Sequence, residues 1–228
     1  MRRTIRQSIS ERFRRNRDIR LRALIAACPR RGEKLEILDL GGRSEYWRRV
    51  GYDFLAQKGV RITLVNLHQS EIVEDPDAPE GLIHWMTGDA RDLSFEDRSF
   101  DLCHSNSVIE HVGDWPDIDA FAAETRRVAA SYYVQTPNYW FPVDPHFPAL
   151  PAIHWLPRSW RAWFMQHLPL AWSGKARDKA EAYRFVDGVR LLTLPQFRRL
   201  FPESTIVTER FVLLAKSLIA THIAAQST

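Results

Sequence analysis

The chain predicts an α/β fold built on a mostly parallel sheet covered on both faces. Three observations carry that prediction. Short, nearly continuous apolar runs alternate with helix-like segments from residue 35 onward. This is the pattern of strands buried on both faces and joined by crossover helices. Each run ends in polar residues or glycine, as strand-to-loop junctions do. The 228 residues are 45% hydrophobic and 26% charged, the balance of an ordinary soluble domain with one sizeable core.

The elements follow in order. Ile5, Ile9 and Phe13 fall at four-residue spacing, and Leu21, Leu24, Ile25 and Cys28 repeat the helical pattern. One or two amphipathic helices are expected there, ended by Pro29 and Gly32. The run "LEILDL" (35–40) reads as a first strand, and 46–59 as a helix, or a helix plus turn, closing at Gly59. Residues 61–67 form a second strand. The segment "EIVEDPDAPEG" carries two prolines and a glycine, so the next crossover is expected to be irregular. A short third strand spans 82–90 and a fourth 99–107. Residues 117–130 read as a helix with Ile118, Phe121, Ala122 and Val128 on its apolar side. A fifth strand over 131–137 stops at Pro137.

Residues 138–190 break the rhythm; they are rich in Pro, Trp and His and read as loops and short helices outside the sheet. A helix follows at 193–202 with Pro195 in its first turn. Residues 204–214 and 216–225 then alternate like the two strands of an antiparallel hairpin at one sheet edge. The expected organisation is a basic helical arm at 1–34 and one domain at 35–228, with 138–190 as an insertion.

Charge supports that division. Residues 1–34 carry 12 Arg/Lys against 3 acids, leaving 20 and 25 to the rest of the chain. A basic arm suits nucleic acid, an anionic membrane surface or an acidic partner; its plainest reading is a solvated amphipathic helix packed on the domain. The two cysteines, Cys28 and Cys103, form no C-x-x-C pair and no disulfide framework, which fits a cytoplasmic setting. No secretory signal is read in the Arg-rich start. The late apolar stretch "FVLLAKSLIATHIAA" is too short for a membrane span and carries Lys216 at its centre.

In an open α/β sheet, ligands bind outside the carboxyl ends of the strands. Those ends hold Asp39, Gly41 and Gly42; then Asn66 and His68; then Gly88, Asp89 and Ala90; then Ser105, Asn106 and Ser107, followed by Glu110 and His111; then Gln135, Thr136 and Asn138. Singly each is an ordinary junction. Together they predict one polar crevice. A dinucleotide site fits poorly, because the three-glycine fingerprint and its downstream acid are missing. A P-loop is excluded because no G-K-[ST] follows the glycines. A metal site is not expected either, since the histidines are scattered and the cysteines unpaired.

The stretches "ILDLGG", "GDARDLSFEDRSFDLCHSNSVIEHVGDW" and "VQTPN" resemble the class I S-adenosylmethionine-dependent methyltransferases, most closely the bacterial type 11 branch. The likeness runs from about residue 35 to 225 and is most specific at 88–112. It implies a Rossmann-like, seven-stranded, mostly parallel sheet with an antiparallel edge strand and helices on both faces. It also implies S-adenosyl-L-methionine as cofactor. By position, Gly41 and Gly42 let the backbone approach the methionine part, and Asp39 helps hold its ammonium, directly or through water. Asn66 falls at the ribose, with Leu67 beside it as a further cofactor-binding residue, Asp89 and Ala90 at the adenine, and Ser105 and Asn106 along the methionine side. Two positions depart from the family: Arg43 stands where a second glycine is usual, and Asn66 where an acid accepts both ribose hydroxyls. An amide accepts one bond and donates another but loses the charge-assisted gain, so weaker or differently shaped cofactor binding is expected.

Methyl transfer needs alignment and, for a hydroxyl acceptor, a base. The candidates are His111, near the expected methyl entrance, and Asp144 and His146 in "PNYWFPVDPHFP", just past the fifth strand. The expected acceptor is a small molecule or a glycan- or lipid-linked group. Trp160, Trp163, Phe164 and His167 share a helical face in a stretch, 155–172, that holds half of the eight tryptophans. That face reads as core packing, as a substrate lid or as an interfacial helix making peripheral membrane contact. Two rival functions stay open at this level: a fold that binds the cofactor without catalysis, and an RNA modifier using the basic arm.

Overall fold

The computed structural model describes residues 5–170 and 174–225, with side chains from residue 10. The contacts expected of Ile5 and Ile9, and Trp172, lie outside the described residues. Seven strands form one sheet: β1 (Leu35–Leu40), β2 (Val60–Asn66), β3 (Ile83–Thr87), β4 (Phe100–Asn106), β5 (Ala129–Pro137), β6 (Thr205–Phe211) and β7 (Leu214–His222). Their order is β3-β2-β1-β4-β5-β7-β6. Only Val212 and Leu213 separate β6 from β7, a connection short enough for an antiparallel hairpin alone. β6 takes the edge and β7 the place inside it.

By contacts the chain forms two compact units: residues 1–106, 124–134 and 221–228, and residues 107–123 and 135–220. In the first unit β1 pairs in parallel with both β2 and β4, with Leu40 opposite Val65 on one side and Ser105 on the other. β2 pairs with β3 so that Asn66 lies opposite Thr87. Ile37, Leu38, Leu40, Ile62 and Leu64 are all fully buried, as continuous apolar strands require when both faces are covered.

Helix α1 (Ile5–Ala27) belongs to this unit and packs on it through Leu21, Leu24 and Ile25, joined just past its end by Cys28. These positions recur at three- and four-residue spacing and form one apolar stripe. The basic face is anchored as well. Asp18 accepts two bonds from Arg49 at 2.8 and 3.0 Å, and Arg22 lies 4.4 Å over the Phe54 ring.

The helix, or helix plus turn, expected at 46–59 is two helices, α2 (Ser44–Val50) and α3 (Tyr52–Gln57). Gly51 between them has φ +107, a conformation that L side chains rarely adopt, and it breaks the run. The crossover from β2 to β3 is irregular as expected, with one short 3₁₀ turn at Gln69–Glu71. It is tied down at Asp75, which is buried and accepts from Arg48 and Tyr52.

The second unit carries most of the expected insertion. Helices α5 (Arg158–His167) and α6 (Lys179–Asp187) enclose their own core of Phe147, Ile153, Ala162, Met165, Leu170, Ala182 and Val186. Trp160 and Trp163 stay outside it, 61% and 54% exposed. Helix α7 (Leu194–Leu200) starts from a capping box of Thr193 and Gln196 with Pro195 in its first turn. Helix α4 (Trp115–Val128) precedes β5. Among the described residues no helix is long and apolar enough to cross a membrane.

Candidate functional site

The parallel register of β3, β2, β1 and β4 sets four strand ends side by side in the first unit. At the end of β1 the chain turns at Gly41, exposed and left-handed at φ +68, with its N–H donating 2.7 Å to the Val65 carbonyl. Gly42 folds straight back over Asp39: an added Cβ would lie 1.7 Å from an Asp39 carboxylate oxygen. Only glycine fits there.

Asp39 itself faces inward. It is fully buried; Oδ2 accepts from Trp47 Nε1 at 2.7 Å, and Oδ1 bonds His104 Nδ1 at 2.6 Å. His104 is the residue opposite Asp39 in the β1–β4 register, which is why the pair meets. Its ring stacks on Tyr133 at 5.5 Å, and its Nε2 has no partner. Asp39, expected to hold the cofactor's ammonium directly or through water, has both of its oxygens engaged inside the unit. Ser105, expected along the methionine side, also has an internal partner. It is fully buried within β4 and donates to the Leu40 carbonyl at 3.3 Å.

The other strand ends differ in exposure, from the buried Asn66 to the half-buried Asp89, Ala90 and Asn106. Asn66 Nδ2 donates to the Gly42 carbonyl at 3.2 Å, stapling the glycine loop and leaving its own carbonyl oxygen as an acceptor. Leu67, next along, is 52% exposed. Asp89 is gripped by Arg91 through the backbone N–H at 2.9 Å and the guanidinium at 2.6 Å, which holds its carboxyl below the usual range. Ala90 is half-buried beside it. Asn106 Oδ1 accepts from Arg17 Nη1 of α1 at 3.1 Å. The sequence carried no signal for that contact, since 89 residues separate the partners. Arg43 is exposed at the start of α2.

For S-adenosylmethionine the test is whether these groups suit its parts. An exposed apolar side chain, a fixed carboxylate, a free amide oxygen and a left-handed glycine backbone match adenine, ribose and methionine in kind. The groups at the four strand ends suit the cofactor in kind, with Asp39 and Ser105 set behind them by their internal bonds.

The second unit gathers the expected base candidates. His146 Nδ1 bonds Asp144 Oδ1 at 2.7 Å, and the His146 N–H donates to the same oxygen at 2.9 Å. Asp144 is 1% exposed, so the carboxylate is a fixed internal anchor. His146 Nε2 lies 3.0 Å from His111 Nε2, and His111 Nδ1 reaches the Gly188 carbonyl at 3.1 Å. Glu110 completes the group. It is 1% exposed, Oε2 accepts from Thr136 Oγ1 at 3.0 Å, and Oε1 has no hydrogen-bond partner. Burial pushes its carboxyl up to about 7, and burial, with His146 as close neighbour, holds His111 below its usual value. Glu110 was visible in sequence only as the neighbour of His111; its role was not. A cavity of about 620 Å³ opens in the same unit, walled by Tyr139, Asp144, Phe147, Trp155, Arg161 and Thr193.

A methyltransferase-domain family model matches residues 50–131. No curated protein sequence matches the chain. Among solved structures, the chain is similar to the PH0226 protein of Pyrococcus horikoshii OT3, at 16% identity over 92% of this chain and 91% of that one, with a TM-score of 0.53. It is similar to the CMeT domain of a citrinin polyketide synthase at 9% identity over 94% of this chain and 53% of that one, with a TM-score of 0.58. It also resembles a methyltransferase from an antibiotic biosynthesis pathway of Anabaena variabilis ATCC 29413, at 18% identity over 85% of this chain, with a TM-score of 0.48. The chain spans 65% of that protein's length. The sequence likeness to the type 11 class I methyltransferases is borne out as a likeness: a methyltransferase-domain family model matches residues 50–131, and the sheet is seven-stranded and Rossmann-like.

Proposed function

We propose that the chain is an S-adenosylmethionine-dependent methyltransferase acting on a small-molecule, glycan or lipid-linked acceptor. The observation that carries this reading is the row of strand ends, Asp89/Ala90, Asn66/Leu67, Gly41/Gly42 and Asn106, set side by side by the parallel register. When bound, S-adenosylmethionine supplies a methyl group activated by a sulfonium leaving group. The chain's own residues supply alignment. Leu67 and Ala90 offer apolar surface to the adenine, and Asp89, fixed by Arg91, offers an acceptor to its exocyclic amine. Asn66 offers its carbonyl oxygen to one ribose hydroxyl while its amide holds the glycine loop.

For a hydroxyl acceptor, His146 is the proposed base. The bond from Nδ1 to Asp144 orients the ring and leaves Nε2 to take a proton. The 620 Å³ cavity is of small-molecule size. Arg161 on its wall has an Nε without a partner, which supports an acceptor bearing hydroxyls or negative charge.

Calorimetric titration with S-adenosylmethionine and with its demethylated product tests the cofactor assignment. Saturable heat at micromolar to sub-millimolar ligand is expected. No heat and no thermal shift at millimolar cofactor would sink it. Binding without turnover on any acceptor in a panel would favour the non-catalytic rival, which the inward Asp39 and Arg43 support.

A further inference from the structure

The His111–His146 pair poses a problem of charge. A backbone carbonyl only accepts, so the 3.1 Å contact from His111 Nδ1 to Gly188 places a proton on that nitrogen. The 2.7 Å contact from His146 Nδ1 to the buried Asp144 carboxylate places one there as well. With both rings neutral, each Nε2 presents a lone pair, and the two lie 3.0 Å apart. Two lone pairs at that distance repel unless something positive, a shared proton or a metal ion, sits between them. Beside them stands the buried Glu110 carboxylate, with one oxygen bonded to Thr136 and the other without a hydrogen-bond partner. One ligand atom from each of Glu110, His111 and His146 lies within 4.8 Å of the others.

We infer that Glu110, His111 and His146 form a binding site for a divalent transition-metal ion, Zn²⁺ or a first-row neighbour. Two imidazoles and one carboxylate are a donor set such ions favour over Mg²⁺ and Ca²⁺. Metal–ligand bonds of about 2.0–2.1 Å in a tetrahedron put neighbouring ligand atoms roughly 3.3 Å apart. The 3.0 Å Nε2–Nε2 spacing is already close to that edge, and a Glu110 carboxylate oxygen lies within 4.8 Å of both nitrogens. The supporting shell is in place too. Each histidine gives its Nδ1–H to a fixed oxygen, Asp144 for one and Gly188 for the other, the arrangement that fixes tautomer and ring orientation in metal sites. Asp144 is thus a positioning residue. Three protein ligands leave a position open, as sites that act on a bound molecule do. With the ion in place, His146 is a ligand rather than a free base, and the favoured acceptor is one with an oxygen donor for the open position. That last step rests on the methyl-transfer reading; the binding of the ion does not.

The test uses the full chain, stripped with a chelator and titrated by calorimetry with Zn²⁺ and, separately, with Mg²⁺. A Co²⁺ titration gives visible bands that report tetrahedral coordination. One equivalent of Zn²⁺ at micromolar affinity or tighter is expected, with Mg²⁺ far weaker. Glu110→Gln and His111→Ala should each weaken Zn²⁺ by at least about ten-fold, and Asp144→Asn by about 10- to 100-fold. The His111 ring packs on His146 and bonds the Gly188 carbonyl, so circular dichroism of that variant checks the fold, and Glu110→Gln, which keeps the side chain's shape, gives an independent reading. No stoichiometric Zn²⁺ binding would overturn the site, as would equal affinity in the His111→Ala variant or preference for Mg²⁺. None of those outcomes touches the cofactor titration, which involves residues of the other unit.

Discussion

Replacing Asp39 by Ala separates two readings of the same carboxylate. If it served the cofactor from the crevice, its loss would cost affinity and little stability. In the structure it is fully buried, bonded to Trp47 at 2.7 Å and to His104 at 2.6 Å. A hydrogen bond to a charged group contributes ~1.5–3 kcal/mol, and here both partners stay buried when it goes. The expected loss is roughly 3–6 kcal/mol, a large part of the roughly 5–15 kcal/mol that holds a typical domain. Urea unfolding followed by circular dichroism measures it from midpoint and slope. Asp39→Asn should fall between. Its amide satisfies one neighbour as acceptor, but its NH₂ meets a His104 nitrogen that must then give up its proton. Calorimetry with the cofactor runs alongside. Stability within about 0.5 kcal/mol of the parent, the range of a surface substitution, combined with lost cofactor affinity would refute the inward assignment.

Other outcomes follow from the same geometry. Asn66→Ala removes the staple to the Gly42 carbonyl and should weaken cofactor binding by about five- to ten-fold, the equivalent of one hydrogen bond near 1 kcal/mol; an unchanged calorimetric Kd would refute the staple. His146→Ala should cut turnover while leaving cofactor affinity alone, since His146 lies in the second unit and the cofactor groups in the first. Unchanged turnover would remove it from the mechanism. Arg48 holds Asp75 well below the usual carboxylate range. A depressed acid contributes stability that is complete above its unfolded pKa, about 4, and is lost as pH falls toward its lower folded value. Melting temperatures of the parent should therefore drop more steeply below pH 4 than those of Asp75→Asn. Parallel curves would show that the Arg48–Asp75 contact contributes nothing.

Much of the fold was legible in the chain because its signals are local. Apolar runs such as "LEILDL" and helical spacing such as Leu21, Leu24, Ile25 and Cys28 depend only on near neighbours, and both appear where expected. The strand ends at Gly41, Asn66, Asp89 and Asn106 were readable for the same reason: polar residues that stop an apolar run mark where a strand leaves the sheet. The break at Gly51 was missed, because glycine inside a helical pattern does not by itself announce φ +107.

What the sequence alone determined is the class of fold, the rough place of each element and the edge at which the polar ends gather. Tertiary structure decided which way those polar groups face and whom they meet. Asp39 reads as a crevice residue in one dimension, yet the parallel register sets it opposite His104 and α2 brings Trp47 onto it, so its carboxylate turns inward. His111 and His146 stand 35 residues apart and looked scattered until the fold set their nitrogens 3.0 Å from each other beside Glu110. Periodicity records which face of an element is apolar. It carries no information on contacts between residues distant in the chain, and those contacts decide the chemistry of both sites.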